Sequence, residues 1–249
     1  MIPVLVFDIE TVPDCAGLRR LHAIDPGVSD KDVAEFAFQR RRASHNTDFL
    51  PLHLHRVVAI SCAMREGDGF RVWSLGSPQD SERVLIQRFF DGIDKYTPTL
   101  VSWNGGGFDL PVLHYRAMLH GVAAPRYWDN GDDDRNFRYN NYLSRYHWRH
   151  IDLMDVLASY QPRAYVPLDQ MAVLLGFPGK LGFSGAEVWT RFQAGDIKSI
   201  RDYCETDVLN TYLIYLRFEA MRGQLSEAGL GAECDRVRAY LATSEAEHL

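Results

Sequence analysis

The chain has 249 residues, 46% hydrophobic and 24% charged, which is typical of a globular protein with one α/β domain or at most two small ones. The formal net charge of −6 argues against a protein that holds nucleic acid by bulk electrostatics, but not against acids clustered at a metal site. The four cysteines are scattered without a C-x-x-C pair, so we expect neither a disulfide framework nor a zinc site. No signal peptide or membrane-spanning segment is visible, and we expect a cytoplasmic protein without membrane contact.

The hydrophobic pattern predicts strands and helices in an order typical of a mixed sheet flanked by helices. In chain order these are a strand at 3–9, a helix at 31–45, a hairpin with strands from 56 and 69, a helix at 80–93, a strand at 99–103, a helix at 108–121, a strand leading into a helix at 149–154, and helices at 167–175, 184–194 and 197–221. We therefore expect one domain over about residues 1–222, with a helical insertion at about 14–50 and a loop insertion at about 127–148. Residues 223–249 form a polar tail or surface helix in this prediction.

The first strand carries two acids in the run VLVFDIET. Asp8 and Glu10 are two residues apart, so in a strand their side chains lie on the same face. Two adjacent carboxylates in a partly dry site need a compensating charge, and hard oxygen ligands suit Mg²⁺ or Mn²⁺. The alternative is a strand that ends near residue 7 and leaves both acids in solvent.

The second motif is VSWNGGGFDLP, in which a predicted strand passes through three glycines into a helix. Asp109 lies in the first helical turn, beside the carboxyl end of the strand, where open α/β sheets bind ligands. The glycines do not satisfy the dinucleotide pattern G-x-G-x-x-G. An acid here could instead stabilise the helix N-terminus.

The third motif is YCETD, within the last long predicted helix. Tyr203 and Asp207 are four residues apart and therefore share one face of that helix. Taken alone, the pair could equally be a surface acid on an amphipathic helix.

Together the three stretches resemble the exonuclease motifs of the DEDD superfamily, and above all the proofreading 3′–5′ exonuclease domain of family B DNA polymerases. Tyr203, four residues before the last acid, matches the tyrosine (DEDDy) subclass. No palm, thumb or Y-G-D-T-D signature follows, so the chain resembles the stand-alone PolB-like exonucleases of bacteria. This resemblance implies an RNase H-like fold with a five-stranded mixed sheet flanked by helices.

The resemblance also implies roles for particular residues. Asp8, Glu10, Asp109 and Asp207 would hold two divalent cations, Mg²⁺ or Mn²⁺, and Tyr203 would position the attacking water. Thr11, Asn104, Phe108 and Lys180 are candidate contacts to the nucleic acid. Thr11 could instead simply end its strand, Phe108 could belong to the core, and Lys180 could be an exposed loop lysine.

Two further groups of side chains leave alternatives open. Arg40, Arg41 and Arg42 could guide a strand to the site or form a solvated face. The segment 127–148 mixes aromatic residues with arginines, which suits either stacking on single-stranded bases or a satellite hydrophobic cluster.

The resulting hypothesis is a metal-dependent 3′–5′ exonuclease that releases mononucleotides from the 3′ end of DNA, expected to be single-stranded. The same site acting on RNA is one alternative. A catalytically silent nucleic-acid-binding module with this fold is another. A partner polymerase or repair protein is not identifiable from the sequence.

Overall fold

The structure is a computed structural model that describes residues 2–179 and 184–249. Its strands form one five-stranded sheet in the order β3-β2-β1-β4-β5. The strands are β1 (Val4–Pro13), β2 (His55–Glu66), β3 (Gly69–Ser74), β4 (Thr99–Ser102) and β5 (His150–Asp152). The helices are α1 (Cys15–His22), α2 (Asp30–His45), α3 (Glu82–Tyr96), α4 (Asp109–His120), α5 (Pro125–Trp128), α6 (Leu153–Leu157), α7 (Leu168–Leu174), α8 (Val188–Gln193), α9 (Ile197–Met221) and α10 (Glu227–Thr243).

The first strand is the centre of the sheet. β1 pairs with β2 in the antiparallel direction and with β4 in the parallel direction, and β4 pairs in parallel with β5. The carboxyl ends of β1, β4 and β5 therefore meet at one edge. The mixed five-stranded sheet with flanking helices confirms the predicted RNase H-like α/β class.

Helices cover both faces of the sheet, and the alternation along β1 decides which side chains each face receives. Phe7 and Ile9 pack in a buried cluster with residues of α3 and α4. Val6 packs in a second cluster with Val208 and Tyr212 of α9. Since successive strand residues point to opposite faces, the residues at 8 and 10 point to the α9 side with Val6.

Several elements differ in extent from those predicted. β1 continues to Pro13, because Thr11, Val12 and Pro13 still pair with the start of β2. The insertion contains a helix, α1, that the pattern did not single out; Asp14 caps it by accepting a hydrogen bond from the N–H of Gly17. The helix predicted at 184–194 begins with a 3₁₀ turn at Gly185–Glu187 before α8.

The last helix, α10, packs on β3 and α9. Its Tyr240 hydroxyl donates to the carbonyl oxygen of Val72 on β3 at 2.8 Å. Glu233 forms an ion pair with Arg65, which is buried at the end of β2. Among the described residues, none of the helices combines the length and hydropathy needed to span a membrane.

Candidate active site

Two acids of the site, Asp8 and Glu10, lie in the middle of β1. Asp8 pairs in the sheet with Ser61 of β2, and Glu10 pairs with Ala59. Glu10 is only 8% exposed, so the strand does not end before the acids and leave them in solvent. Both side chains are on the α9 side of the sheet, as the i, i+2 spacing predicts.

The third acid comes from the first turn of α4. Asp109 is 3% exposed, and its Oδ1 accepts a hydrogen bond of 3.0 Å from the backbone N–H of Ile9. This contact ties the first turn of α4 to β1 between the two strand acids. The carboxylate therefore does more than stabilise its own helix N-terminus.

A tight glycine loop allows α4 to begin so close to the sheet. A Cβ atom on Gly105 would lie 2.3 Å from Oγ of Ser102, so the backbone there approaches β4 as only glycine permits. Asp152, at the end of β5, accepts hydrogen bonds from the N–H groups of Asn104 and Gly106, both at 2.9 Å. Asn104 itself has a left-handed backbone with φ of 65°, which asparagine tolerates better than most residues.

The fourth acid and the tyrosine lie one helical turn apart on α9. Asp207 is 7% exposed and Tyr203 is 4% exposed, both on the face that meets β1. The Tyr203 hydroxyl hydrogen-bonds to Asp207, and burial, the charges of Asp207, Glu10 and Asp8, and this bond together raise the pKa of the phenol. Tyr203 is therefore a neutral hydrogen-bond donor at any ordinary pH.

The carboxylates are close enough to disturb one another's ionisation. Burial raises the pKa of Asp8 well above its usual value, and the negative charges of Asp109, Glu10 and Asp207 raise it further. Burial raises the pKa of Asp109 to about 7 despite the hydrogen bond from Ile9, and Asp152 adds to the rise. The structure thus brings together acids from β1, α4 and α9 in one pocket of low dielectric.

Such a group of carboxylates is a donor set for a hard divalent cation. One ligand atom each from Asp8, Glu10 and Cys204 lies within 4.8 Å of the others. Cys204 has no exposed surface, burial raises the pKa of its thiol well above normal, and its Sγ donates to Oδ2 of Asp8 at 3.4 Å. A neutral thiol is a poor ligand, so the oxygen atoms remain the donors, and these suit Mg²⁺ or Mn²⁺ rather than Zn²⁺.

The candidate substrate residues differ in their surroundings. Oγ1 of Thr11 is 2.8 Å from Nδ1 of His55, whose ring also packs edge-on against Phe108 with centroids 5.2 Å apart. Phe108 is half-buried and packs against the large core cluster, so the core alternative is part of its environment. Asn104 lies in the glycine loop beside Asp109, and Lys180 lies outside the described residues.

The aromatic insertion divides into buried and exposed parts. Tyr142 and Phe137 are buried, and Arg149 lies over both rings. This half belongs to the large core cluster that also contains Phe7 and Ile9, so it is not the separate satellite cluster of the sequence alternative. Tyr139 and Tyr146 are exposed, so an aromatic surface remains on the outside of the same segment.

Three residues near the site were not predicted from the sequence. They are Cys204, which donates to Asp8; His55, which contacts both Thr11 and Phe108; and Asp152, which holds the glycine loop. Asp152 had a usable signal, because an acid at the end of a predicted strand falls on the same sheet edge as Asp109. Cys204 and His55 had none, since their roles depend on tertiary contacts.

Comparison with known proteins gives a consistent picture. A family described as "Predicted 3′-5′ exonuclease related to the exonuclease domain of PolB" matches residues 47–249. The catalytic chain of DNA polymerase epsilon from Emericella nidulans is 27% identical over 145 residues, 56% of this protein and 6% of the polymerase. A DNA polymerase from Archaeoglobus fulgidus is 26% identical over 149 residues, 59% of this protein and 19% of that enzyme.

A solved structure, the family B DNA polymerase of Pyrobaculum calidifontis, aligns with 87% of this chain and 25% of its own, at 18% identity and a TM-score of 0.49. The chain spans only about 6% of the length of the polymerase epsilon catalytic chains that it matches. The family match covers most of the chain, including the second and third motifs, and begins after Asp8 and Glu10. The chain therefore belongs to the family of predicted 3′–5′ exonucleases related to the exonuclease domain of PolB.

Proposed function

We propose that this protein is a metal-dependent 3′–5′ exonuclease that hydrolyses the terminal phosphodiester bond of single-stranded DNA and releases nucleoside 5′-monophosphates. The observation that carries the proposal is the convergence of four carboxylates from three distant parts of the chain. The negative charges of Asp109, Glu10 and Asp207 all raise the pKa of Asp8, which lies on the central strand of the sheet. Without cations this arrangement costs free energy, because buried like charges repel each other.

The four carboxylates would hold two divalent cations, Mg²⁺ or Mn²⁺. When bound, such a pair stabilises the entering and leaving oxygens of an in-line phosphoryl displacement and lowers the pKa of water. The chain supplies the rigid frame for this chemistry. The hydrogen bond from Ile9 to Asp109 fixes the separation of α4 from β1, and the Cys204 thiol fixes the orientation of Asp8.

Tyr203 would orient the attacking water. Its raised pKa makes it a poor base at neutral pH, since the phenol keeps its proton. That proton is donated to Asp207, and the lone pairs of the phenol oxygen remain able to accept a hydrogen bond from water. Thr11 on β1, and Asn104 and Phe108 in the segment before α4, would contact the terminal nucleotide; Lys180 is proposed as a phosphate contact.

The test is digestion of single-stranded oligomers labelled at the 3′ or the 5′ end, with DNA and RNA in parallel, in Mg²⁺, Mn²⁺ or EDTA. We expect mononucleotide release from the 3′ end of DNA that depends on the added metal. Preferential digestion of RNA would show that the substrate is RNA and that the hydrolytic reaction is the one proposed. Folded protein that degrades neither polymer with either metal would refute the proposal.

A matched variant separates an enzyme from a silent binding module. Asp8→Ala should abolish cleavage while the affinity for an oligomer, measured in EDTA, stays within about twofold. If wild type and Asp8→Ala are equally inactive and bind equally well, the fold serves binding alone.

A further inference from the structure

A cavity among the described residues lies apart from the carboxylates, none of which lines it. It has a volume of about 630 Å³ and lies between α1, α8, the first turn of α3 and the end of α4. This volume is within the range of sites that bind small molecules or nucleotides. Val12 and Pro13, the last residues of β1, form its inner wall.

The cavity lies beyond the candidate active site along β1. Val12 follows Glu10 by two residues on the same face of β1, about 7 Å farther along the strand. Val12 and Tyr203 share one buried cluster, and Trp189 and Phe192 of α8, which also line the cavity, pack against it. A nucleic-acid strand leaving the carboxylates along β1 would reach this cavity next.

The charge of the cavity is opposite to that of the protein as a whole. Five arginines line it against three acids, in a chain of net charge −6. All three acids have arginine partners, since Arg116 pairs with both Asp14 and Glu82, and Arg19 pairs with Asp30, which leaves one negative charge uncompensated. The excess charge is therefore carried by the remaining arginines, Arg20, Arg56 and Arg83.

These three arginines have exposed side chains and form no ion pair with any other part of the chain that the structure describes. The guanidinium of Arg56 lies over the ring of Phe192 at 5.7 Å, and that ring stacks on Trp189 with centroids 6.0 Å apart. Guanidinium groups bind phosphate, and flat aromatic surfaces stack with any base. The two chemistries lie side by side on one wall.

We propose that this cavity is a nucleotide-binding subsite, in which Arg20 and Arg56 contact phosphate and the α8 aromatic pair stacks on a base. The inference rests on the proposed exonuclease function, because it assigns the nucleotide to the substrate strand beyond the reacting end. The same chemistry would accept a free mononucleotide product. The experiment distinguishes these two sources.

The perturbation is the double substitution Arg20→Ala/Arg56→Ala, with Phe192→Leu as a second variant that removes the aromatic ring but keeps an apolar side chain. Arg88→Ala is the matched control, since Arg88 is an exposed arginine on α3 outside the cavity. Binding of a 5′-fluorescein single-stranded DNA decamer is measured in EDTA by anisotropy at several salt concentrations. Binding of thymidine 5′-monophosphate is measured by calorimetry.

We expect the double variant to bind the decamer at least about tenfold more weakly, with the slope of log affinity against log salt reduced by about 1.4, about 0.7 for each lost phosphate contact. Phe192→Leu should weaken binding by about fivefold or more through lost stacking. Arg88→Ala should match the wild type. Loss of mononucleotide binding alone, with decamer binding unchanged, would assign the subsite to the product.

Hydrolysis of the p-nitrophenyl ester of thymidine 5′-monophosphate in Mn²⁺ separates this subsite from the catalytic centre, because that substrate has a single nucleotide. We expect the wild type to hydrolyse it in Mn²⁺ and not in EDTA. If the wild type does not hydrolyse the ester or the decamer, the exonuclease proposal fails, while the EDTA binding data still test the cavity. Decamer and mononucleotide affinities within twofold of wild type in both variants would overturn the subsite.

Discussion

Replacing Asp109 by asparagine should stabilise the metal-free protein and at the same time destroy its activity. Burial raises the pKa of this carboxyl from 3.8 to about 7, which at 1.36 kcal/mol per pKa unit costs about 4 kcal/mol when the group is ionised. Because the folded-state pKa is raised, the cost is absent below pH 3.8 and complete above pH 7. Asparagine removes the charge, and its Oδ1 can still accept the N–H of Ile9.

We therefore expect Asp109→Asn to unfold in urea at pH 8, in EDTA, with a free energy of unfolding about 1–4 kcal/mol above that of the wild type, the upper limit being the full cost of ionisation. Saturating Mn²⁺ should stabilise the wild type and not the variant, because a ligand that binds the native state adds RT ln(1 + [L]/Kd). Asp91→Asn, on the exposed side of α3, controls for the loss of one negative charge. A variant less stable than wild type in EDTA would refute the claim that ionised Asp109 destabilises the metal-free protein.

Three further outcomes follow from contacts in and around the site. Tyr203→Phe should lower kcat for oligomer digestion by about 10²-fold, since only the hydroxyl is lost. The KM and the stabilisation of the folded protein by Mn²⁺ should not change. An unchanged kcat would exclude a role of Tyr203 in orienting water. Burial lowers the pKa of His150 to about 4, so the stability that this neutral ring contributes is complete above pH 6.5 and is lost as the pH falls toward 4. When the pH is lowered from 7.5 to 5, the free energy of unfolding in urea should fall by about 2 kcal/mol more in the wild type than in His150→Gln, whose side chain can still bond to Ser102. Equal losses in both proteins would contradict this. Arg116→Met should lower the free energy of unfolding in urea by about 3–5 kcal/mol, because the buried carboxylates of Asp14 and Glu82 would lose their cation. A decrease below about 1 kcal/mol would show that these carboxylates are not charged in the native state.

The sheet was predictable because its signals are local. Each strand is a short apolar run, and the hairpin between β2 and β3 turns at Gly67 and Asp68, where the sequence shows a turn. The last long helix matches its predicted bounds, Ile197–Met221, because apolar residues recur along it on one packing face. α1 was not predicted because it has few apolar residues. It is stabilised instead by its N-cap and by packing on α2.

The positions of the four acids followed from spacing and from resemblance, but their surroundings did not. The i, i+2 spacing on β1 placed Asp8 and Glu10 on one face, whereas nothing local indicates that the thiol of Cys204 points at Asp8 from a helix 196 residues later. The cavity beyond β1 is equally invisible in the sequence. Its arginines come from three separate helices and a strand, and only the folded chain shows which of them lack acidic partners.

The wide separation of the acids has a consequence for biosynthesis. The first and last carboxylates stand 199 positions apart (207 − 8), on the central strand and on a helix that docks against it. At about 5–20 residues per second, a ribosome needs about 10–40 s to add the second after the first. A nascent polypeptide that has not yet released α9 from the exit tunnel thus cannot assemble the full cluster, and on the proposed function no half-made copy could cut nucleic acid near the translating ribosome.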